Sequence, residues 1–184
     1  MKLPIFMAAT LLVANIVSAD EPPVVVEENQ TVVQVNGMVC SFCAYGARKA
    51  LSELDCLDKA EFSDGVLVDI DTHRITLALR PGQKVPLLDI YQKIKKAGYN
   101  PVEFYIRSEG TLELSSGRLL LRDARSGQTF SIVGGKIEGV PDDTKVTVQA
   151  SLIASQIPEL GPDGVAKVTI DRLISESGRA REDG

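Results

Sequence analysis

The chain has 184 residues, 44% of them hydrophobic, with 25 Asp and Glu against 20 Lys and Arg. That balance is that of a soluble globular chain able to bury one or two modest cores, not of a disordered or membrane-embedded one. The acidic excess gives no electrostatic reason to approach nucleic acid, whose binding is driven by basic contacts to phosphate.

Met1-Lys2 precedes an apolar run from Leu3 to Val17, and Val17-Ser18-Ala19 then meets acidic Asp20 and Glu21. This reads as a secretory signal over residues 1–19, cleaved after Ala19. An uncleaved anchor would want about 20 apolar residues, and this run is shorter and contains Asn15. No Cys stands at the cleavage point to take a lipid, so the expected location of the mature chain is periplasmic or secreted. Residues 20–30, with Pro22, Pro23 and four acids, read as a linker.

Thr31 to Val35 is β-branched and predicts a strand, and Ala47, Ala50, Leu51 and Leu54 recur on one helical face. Val66, Val68 and Ile70, then Ile75, Leu77 and Leu79, alternate with other residues across the turn Thr72-His73-Arg74 and predict a hairpin. Leu87, Ile90, Tyr91 and Ile94 mark a second helix ending near Gly98, with Asp89 and Lys93 spaced to pair four apart. Val102, Phe104 and Ile106 alternate in a fourth strand. The order strand, helix, strand, strand, helix, strand predicts an α+β, ferredoxin-like βαββαβ domain over residues 31–107.

Beyond it, short strands at Leu112, Leu119–Leu121, Phe130–Ile132, Val146–Leu152 and Val165–Ile170 lie between turns rich in Gly, Ser and Pro. Residues 108–174 therefore predict a small all-β domain, an OB-like barrel, with a small sandwich as the alternative. Residues 175–184 are polar and aperiodic and read as a disordered tail. The β domain carries seven basic and nine acidic residues, one aromatic in Phe130, and neither Cys nor His. It thus lacks the stacking aromatics and basic groove that single-stranded nucleic acid requires.

The chemistry concentrates in Gly37-Met38-Val39-Cys40-Ser41-Phe42-Cys43, between the first strand and first helix. Two thiolates with two residues between them, one on the loop and one at the helix start, can aim both sulfurs at one ion. Sulfur donors select soft ions such as Cu(I) or Hg(II). The partial positive charge of a helix N-terminus favours the thiolate and makes Cys43 the more acidic thiol. With two protein ligands the ion stays coordinatively open, so a third thiolate from a partner protein can carry it away. Structural zinc wants four ligands, which makes Zn(II) the lesser candidate.

The Cys-x-x-Cys loop after strand one, together with Gly98-Tyr99 before strand four, resembles the heavy-metal-associated domain family over residues 31–107. That family includes free copper chaperones, periplasmic mercury-binding proteins and the N-terminal domains of metal-pumping ATPases. The resemblance implies that Cys40 and Cys43 are the metal ligands, that Met38 is the buried methionine anchoring the loop, and that Tyr99 is the aromatic beside the site. It tilts toward the mercury-binding and ATPase members, since the soluble copper chaperones tend to carry lysine at the Tyr99 position. Val39 departs from the polar residue usual before the first cysteine, and residues 55–65 form a longer connection than usual.

Cys56 follows the first helix, about 18 Å from Cys43 at about 1.5 Å per helical residue, so it reads as a half-buried structural thiol. His73, the only histidine, lies in a hairpin turn that the topology brings to the cysteine end. A solvated turn residue is the ordinary reading, with ligation as the alternative. Lys93, Lys95 and Lys96 form a basic patch on the second helix, either solvated or steering an acidic partner.

Together these residues predict an exported metallochaperone or scavenger that holds a soft metal for transfer, and no enzyme. No Ser-His-acid set, carboxylate pair or phosphate loop stands out. The rival is a thiol–disulfide redox protein cycling the same two cysteines. A third reading makes the pair a mere structural disulfide, though a bridge across so short a loop constrains little chain.

Overall fold

The computed structural model describes residues 23–39, 41–62, 64–135, 137, 140–161 and 164–177. The segment 1–19, expected as a signal, lies outside the described residues, as does the tail from residue 178 on.

The chain is a mixed α+β structure with one eight-stranded sheet and few helices. Strand β1 (Gln30–Asn36) leads into helix α1 (Ser41–Leu51). The hairpin β2 (Val66–Asp69) and β3 (Arg74–Ala78) follows, then helix α2 (Leu87–Lys96) and strand β4 (Asn100–Ser115). These four strands lie in the order β2-β3-β1-β4, all antiparallel. The β-branched run of β1 becomes a central strand, with Val32 on one face and Val33 and Val35 on the other all buried. Ala47 and Leu51 of α1, and Leu87, Ile90 and Ile94 of α2, complete the layer beneath the sheet.

Strands β5 (Arg118–Asp123), β6 (Thr129–Gly135), β7 (Lys145–Ile153) and β8 (Ala166–Ser177) follow. β4 pairs with β5, β5 with β6, β6 in parallel with β8, and β8 with β7. β7 then returns to pair with β4 from Glu103 to Thr111, so the five strands close on themselves. Closing requires coiling, and β8 supplies it with two register shifts that leave Asp171 and Ile174 as extra residues against β7. A 3-10 helix, Ala154–Glu159, buries Ala154 and Ile157 and packs against α2.

Several expectations shift here. Leu112 does not open a new strand: it lies within the 16-residue β4, which runs unbroken across the expected boundary at 107/108. Inward-facing Phe104, Ile106, Ser108, Gly110 and Leu112 keep one alternation, but Ser108 and Gly110 carry no apolar signal. Val102 is exposed, because β4 bulges opposite Gln34 and Val35 and Pro101 turns inward instead. Lys93 pairs with Glu53 at 2.8 Å and not with Asp89, since the end of α1 brings that carboxylate across.

The stretch 20–30, expected as a linker, is tied down from Pro23 on. Val26 is buried, its N–H donates to Gln149 Oε1 at 3.2 Å, and Gln149 Nε2 donates to the Val24 carbonyl at 2.9 Å. At the other end β8 reaches Ser177, three residues into the expected tail. The buried side chains form one contiguous core from Met38 and α1 to Val168 and Ile170. Among the described residues no helix is long and apolar enough to cross a membrane.

Gly110 sits where β4 passes between β5 and β7, and a Cβ there would stand 2.0 Å from the Arg122 carbonyl oxygen. Gly110→Ala is therefore expected to lower unfolding free energy by more than about 2 kcal/mol in urea titrations. Gly134→Ala, where a Cβ meets nothing within 4 Å, should change it far less.

On the sheet face away from the helices, Ser151 Oγ donates to Asp171 Oδ1 at 2.9 Å, while Oδ2 is buried without a hydrogen-bond partner. Burial pushes the Asp171 carboxyl above its usual range, the Ser151 hydrogen bond opposes this, and nearby Glu103 adds to it. A raised folded pKa contributes stability below the unfolded value and loses it as pH rises through the folded value. Asp171→Asn should therefore stabilise the protein at pH 7 and lose that advantage below pH about 4, which thermal melts across pH would read.

Candidate metal centre

The loop that carries the cysteine pair is held from three sides. β1 delivers it, and at Gly37 the chain turns through φ +95°, a conformation that favours glycine. The same residue lies against Tyr99, whose Cδ1 would stand 3.9 Å from an added Cβ. Met38 follows with 0% exposure, among the largest fully buried side chains. It is a packing anchor, not a donor reaching outward.

Past that anchor the polarity reverses. Val39 is 80% exposed and Phe42 86%, while Ala44 and Ala47 turn back into the core. Two large apolar groups, Val39 and Phe42, are thus held in water between Met38 and Ala44. Cys40 lies outside the described residues, and Cys43 occupies the first turn of α1 with its side chain likewise outside them. That first turn carries no acidic residue to offset the exposed backbone N–H groups, and Arg48 and Lys49 sit in the last turn where they complement the helix dipole.

Tyr99 is placed by the end of α2. Tyr99 N–H donates to the Ile94 carbonyl at 3.1 Å and Gly98 N–H to the Lys95 carbonyl at 3.0 Å, with Gly98 at φ +92°. This paired pattern stops the helix and turns the chain toward β4. Asn100 then pairs with Asn36, one residue before Gly37. The Gly98-Tyr99 segment and the cysteine loop therefore lie side by side.

His73 also lies at this end. Its carbonyl accepts from Val35 N–H at 2.9 Å, and the neighbouring turn is pinned by Gln34 Nε2 donating to the Thr72 carbonyl and Arg74 Nε donating to Gln34 Oε1. The hairpin turn thus abuts the last residues of β1, as the topology requires. The imidazole is partly buried in that turn, with φ +54° at its backbone.

Cys56 is elsewhere. It is a free, half-buried thiol beyond the far end of α1, and its carbonyl accepts Arg80 N–H at 2.9 Å. Burial pushes its thiol up, more than the nearby Arg80 charge pulls it down, so it stays protonated and makes a poor ligand for a soft ion. Of the basic patch, Lys93 is engaged by Glu53 and Lys95 Nζ donates to Asn100 Oδ1 at 3.1 Å. Among the described residues no group of three or more His, Cys, Asp or Glu side chains converges on a cation position.

No protein-family model matches the chain, and no curated protein matches it. Among solved structures it is similar to a CopZ metallochaperone, at 22% identity and a TM-score of 0.34, over 40% of this chain and 98% of that one.

Met38 and Phe42 separate the loop's anchor from its surface. Met38→Ala should cost about 2–5 kcal/mol in urea unfolding, the range for emptying a core site of this size. Phe42→Ser, at an exposed position, should stay within about 0.5 kcal/mol of the parent.

Proposed function

We propose that the chain is an exported metallochaperone or scavenger that holds one soft metal ion, Cu(I) or Hg(II), between the thiolates of Cys40 and Cys43 and passes it to a partner protein. In this reading residues 31–107 are a ferredoxin-like domain of the heavy-metal-associated type. The strands after it complete an OB-like barrel that shares β4, and the mature protein works in the periplasm or outside the cell. The ion is cargo, and no bond of a substrate is made or broken.

The observation that carries the reading is the reversal of burial along the loop. Met38 is sealed in the core, while Val39 and Phe42 stand in solvent beside the start of a helix with no acid in its first turn. A storage site would be sealed from above, whereas a transfer site must admit an incoming ligand. The donor chemistry agrees: two sulfurs suit a soft ion and leave it open to a third. The remaining thiol, Cys56, lies beyond the opposite end of α1 and is held protonated by burial, so it does not compete.

The test is anaerobic titration of the reduced protein with Cu(I), Hg(II) and Zn(II). One tightly held Cu(I) or Hg(II) per chain is expected, with weak Zn(II) binding, and Cys40→Ser with Cys43→Ser should abolish it. Absence of soft-metal binding, together with a disulfide that cycles readily between Cys40 and Cys43, would replace this reading with the redox one.

A further inference from the structure

β2 is an edge strand of the sheet, and beside it runs an open groove. The groove lies between β2 and α1, is lined by Tyr45, Arg48, Phe62, Val66, Leu67 and Val68 among others, and encloses about 430 Å³. Tyr45 and Phe62 are 54% and 41% exposed, so two large aromatic groups stand in water along the trough, while Leu67, 46% exposed, stands on the other face of β2 at its rim. An edge strand also offers main-chain hydrogen-bonding groups. Ala78 N–H donates to the Gly65 carbonyl at 2.9 Å, and pairing alternates from there along Leu67 opposite Thr76 and Asp69 opposite Arg74. In an antiparallel ladder the intervening residues, Val66 and Val68, then direct their N–H and C=O groups away from β3, toward the open edge.

We propose that this edge and groove are a docking site for an extended segment of a partner protein, which adds as a strand along β2 with apolar residues alternating with Lys or Arg. An added strand presents alternate side chains to opposite faces. On the helix side it meets Val66, Val68 and the Tyr45 ring, so apolar residues belong there. On the other side it meets Leu67 and Asp69, with Asp71 just beyond, so basic residues belong there. Hydrogen bonds from the Thr72 and Asp71 backbone N–H groups to Oδ1 hold the Asp69 carboxyl below its usual range, so it is charged. Glu61 and Asp64, both exposed, add acid just before the strand, and Arg74 on β3 stands opposite Asp69.

That flank also disfavours a second copy of this chain as the occupant. Antiparallel pairing of β2 with itself would bring Asp64 of one copy toward Asp69 and Asp71 of the other, and like charges directly opposite are destabilising. A basic segment has the complementary charge. The site does not depend on what the cysteines bind, although a strand docked there would lie along α1, the helix that begins at the cysteine loop.

The test uses metal-free, 15N-labelled protein carrying Cys40→Ser and Cys43→Ser, titrated with an acetylated, amidated octapeptide alternating Val and Lys. Failure here therefore leaves the metal reading untouched. Saturable shifts confined to the amides of Val66 to Asp69 and of Tyr45 are expected, weakening with added salt. Val68→Pro removes one outward N–H at a sheet edge where proline is tolerated, and should weaken binding about tenfold or more with the rest of the spectrum unchanged. Asp69→Asn with Asp71→Asn keeps the turn acceptor at 69 and should weaken it too. Shifts that do not saturate, shifts centred elsewhere, binding unchanged by Val68→Pro, or a peptide-independent dimer abolished by Val68→Pro in sedimentation would each overturn the proposal.

Discussion

β4 is used three times. Along its first half it pairs with β1, along its second half with β5 on the same edge, and along most of its length β7 occupies the other edge. One strand of 16 residues thus belongs to the helix-backed sheet and to the closed ring of strands at once. Pairing along a shared strand leaves no hinge, because moving one unit against the other would break ladder hydrogen bonds on both sides. The junction is reinforced by Gln128, whose side chain both donates to the Val85 carbonyl and accepts from Val85 N–H, and by Arg125 bonded to Glu28. The β-strand unit is therefore a fixed platform for the cysteine end, not a tethered companion.

That rigidity reaches the loop through short routes. β4 begins at Asn100, immediately after the Gly98-Tyr99 stop of α2, and pairs there with the last residue of β1. The loop leaves from Asn36, so its two supports, β1 and the Tyr99 segment, are both built into the sheet. Met38 supplies the third support by filling the core beneath.

Two groups of exposed apolar side chains lie near α1. Val39 and Phe42 flank the cysteine positions, and Tyr45, Phe62 and Leu67 line the neighbouring groove. Arg48 stands 5.6 Å from the Tyr45 ring centroid, a cation–π contact that keeps the ring upright at the groove's rim. Both sets lie on or beside α1, while the opposite sheet face is shielded by the Val24–Val26 segment and by polar pairs such as Tyr105 with Glu103. The exposed apolar groups beside the cysteine positions and those along the groove therefore lie on one side of the protein.

Much of this was legible from periodicity. The two helices, the hairpin and the strands from Leu119 to Ile170 carry their apolar residues at the spacing their structure requires, so local pattern and burial agree. The Cys-x-x-Cys motif was visible too, and the burial of Met38 was expected from its apolar spacing and from the resemblance to the heavy-metal-associated domains. Three things were not. The continuity of β4 was hidden by Ser108 and Gly110, inward positions chosen for close approach to β5 and so without an apolar signature. The bulge at Val102 reversed which side chain faces in, a choice made by the register with β1. The attachment of Val24–Val26 rests on the Gln149 amide, 125 residues from Val24 in the chain. By itself the sequence determined which residues want to be buried and that a Cys-x-x-Cys motif falls between a strand and a helix. Only the tertiary structure decided that one strand serves two units, since pairing partners far apart in sequence leave no periodic mark.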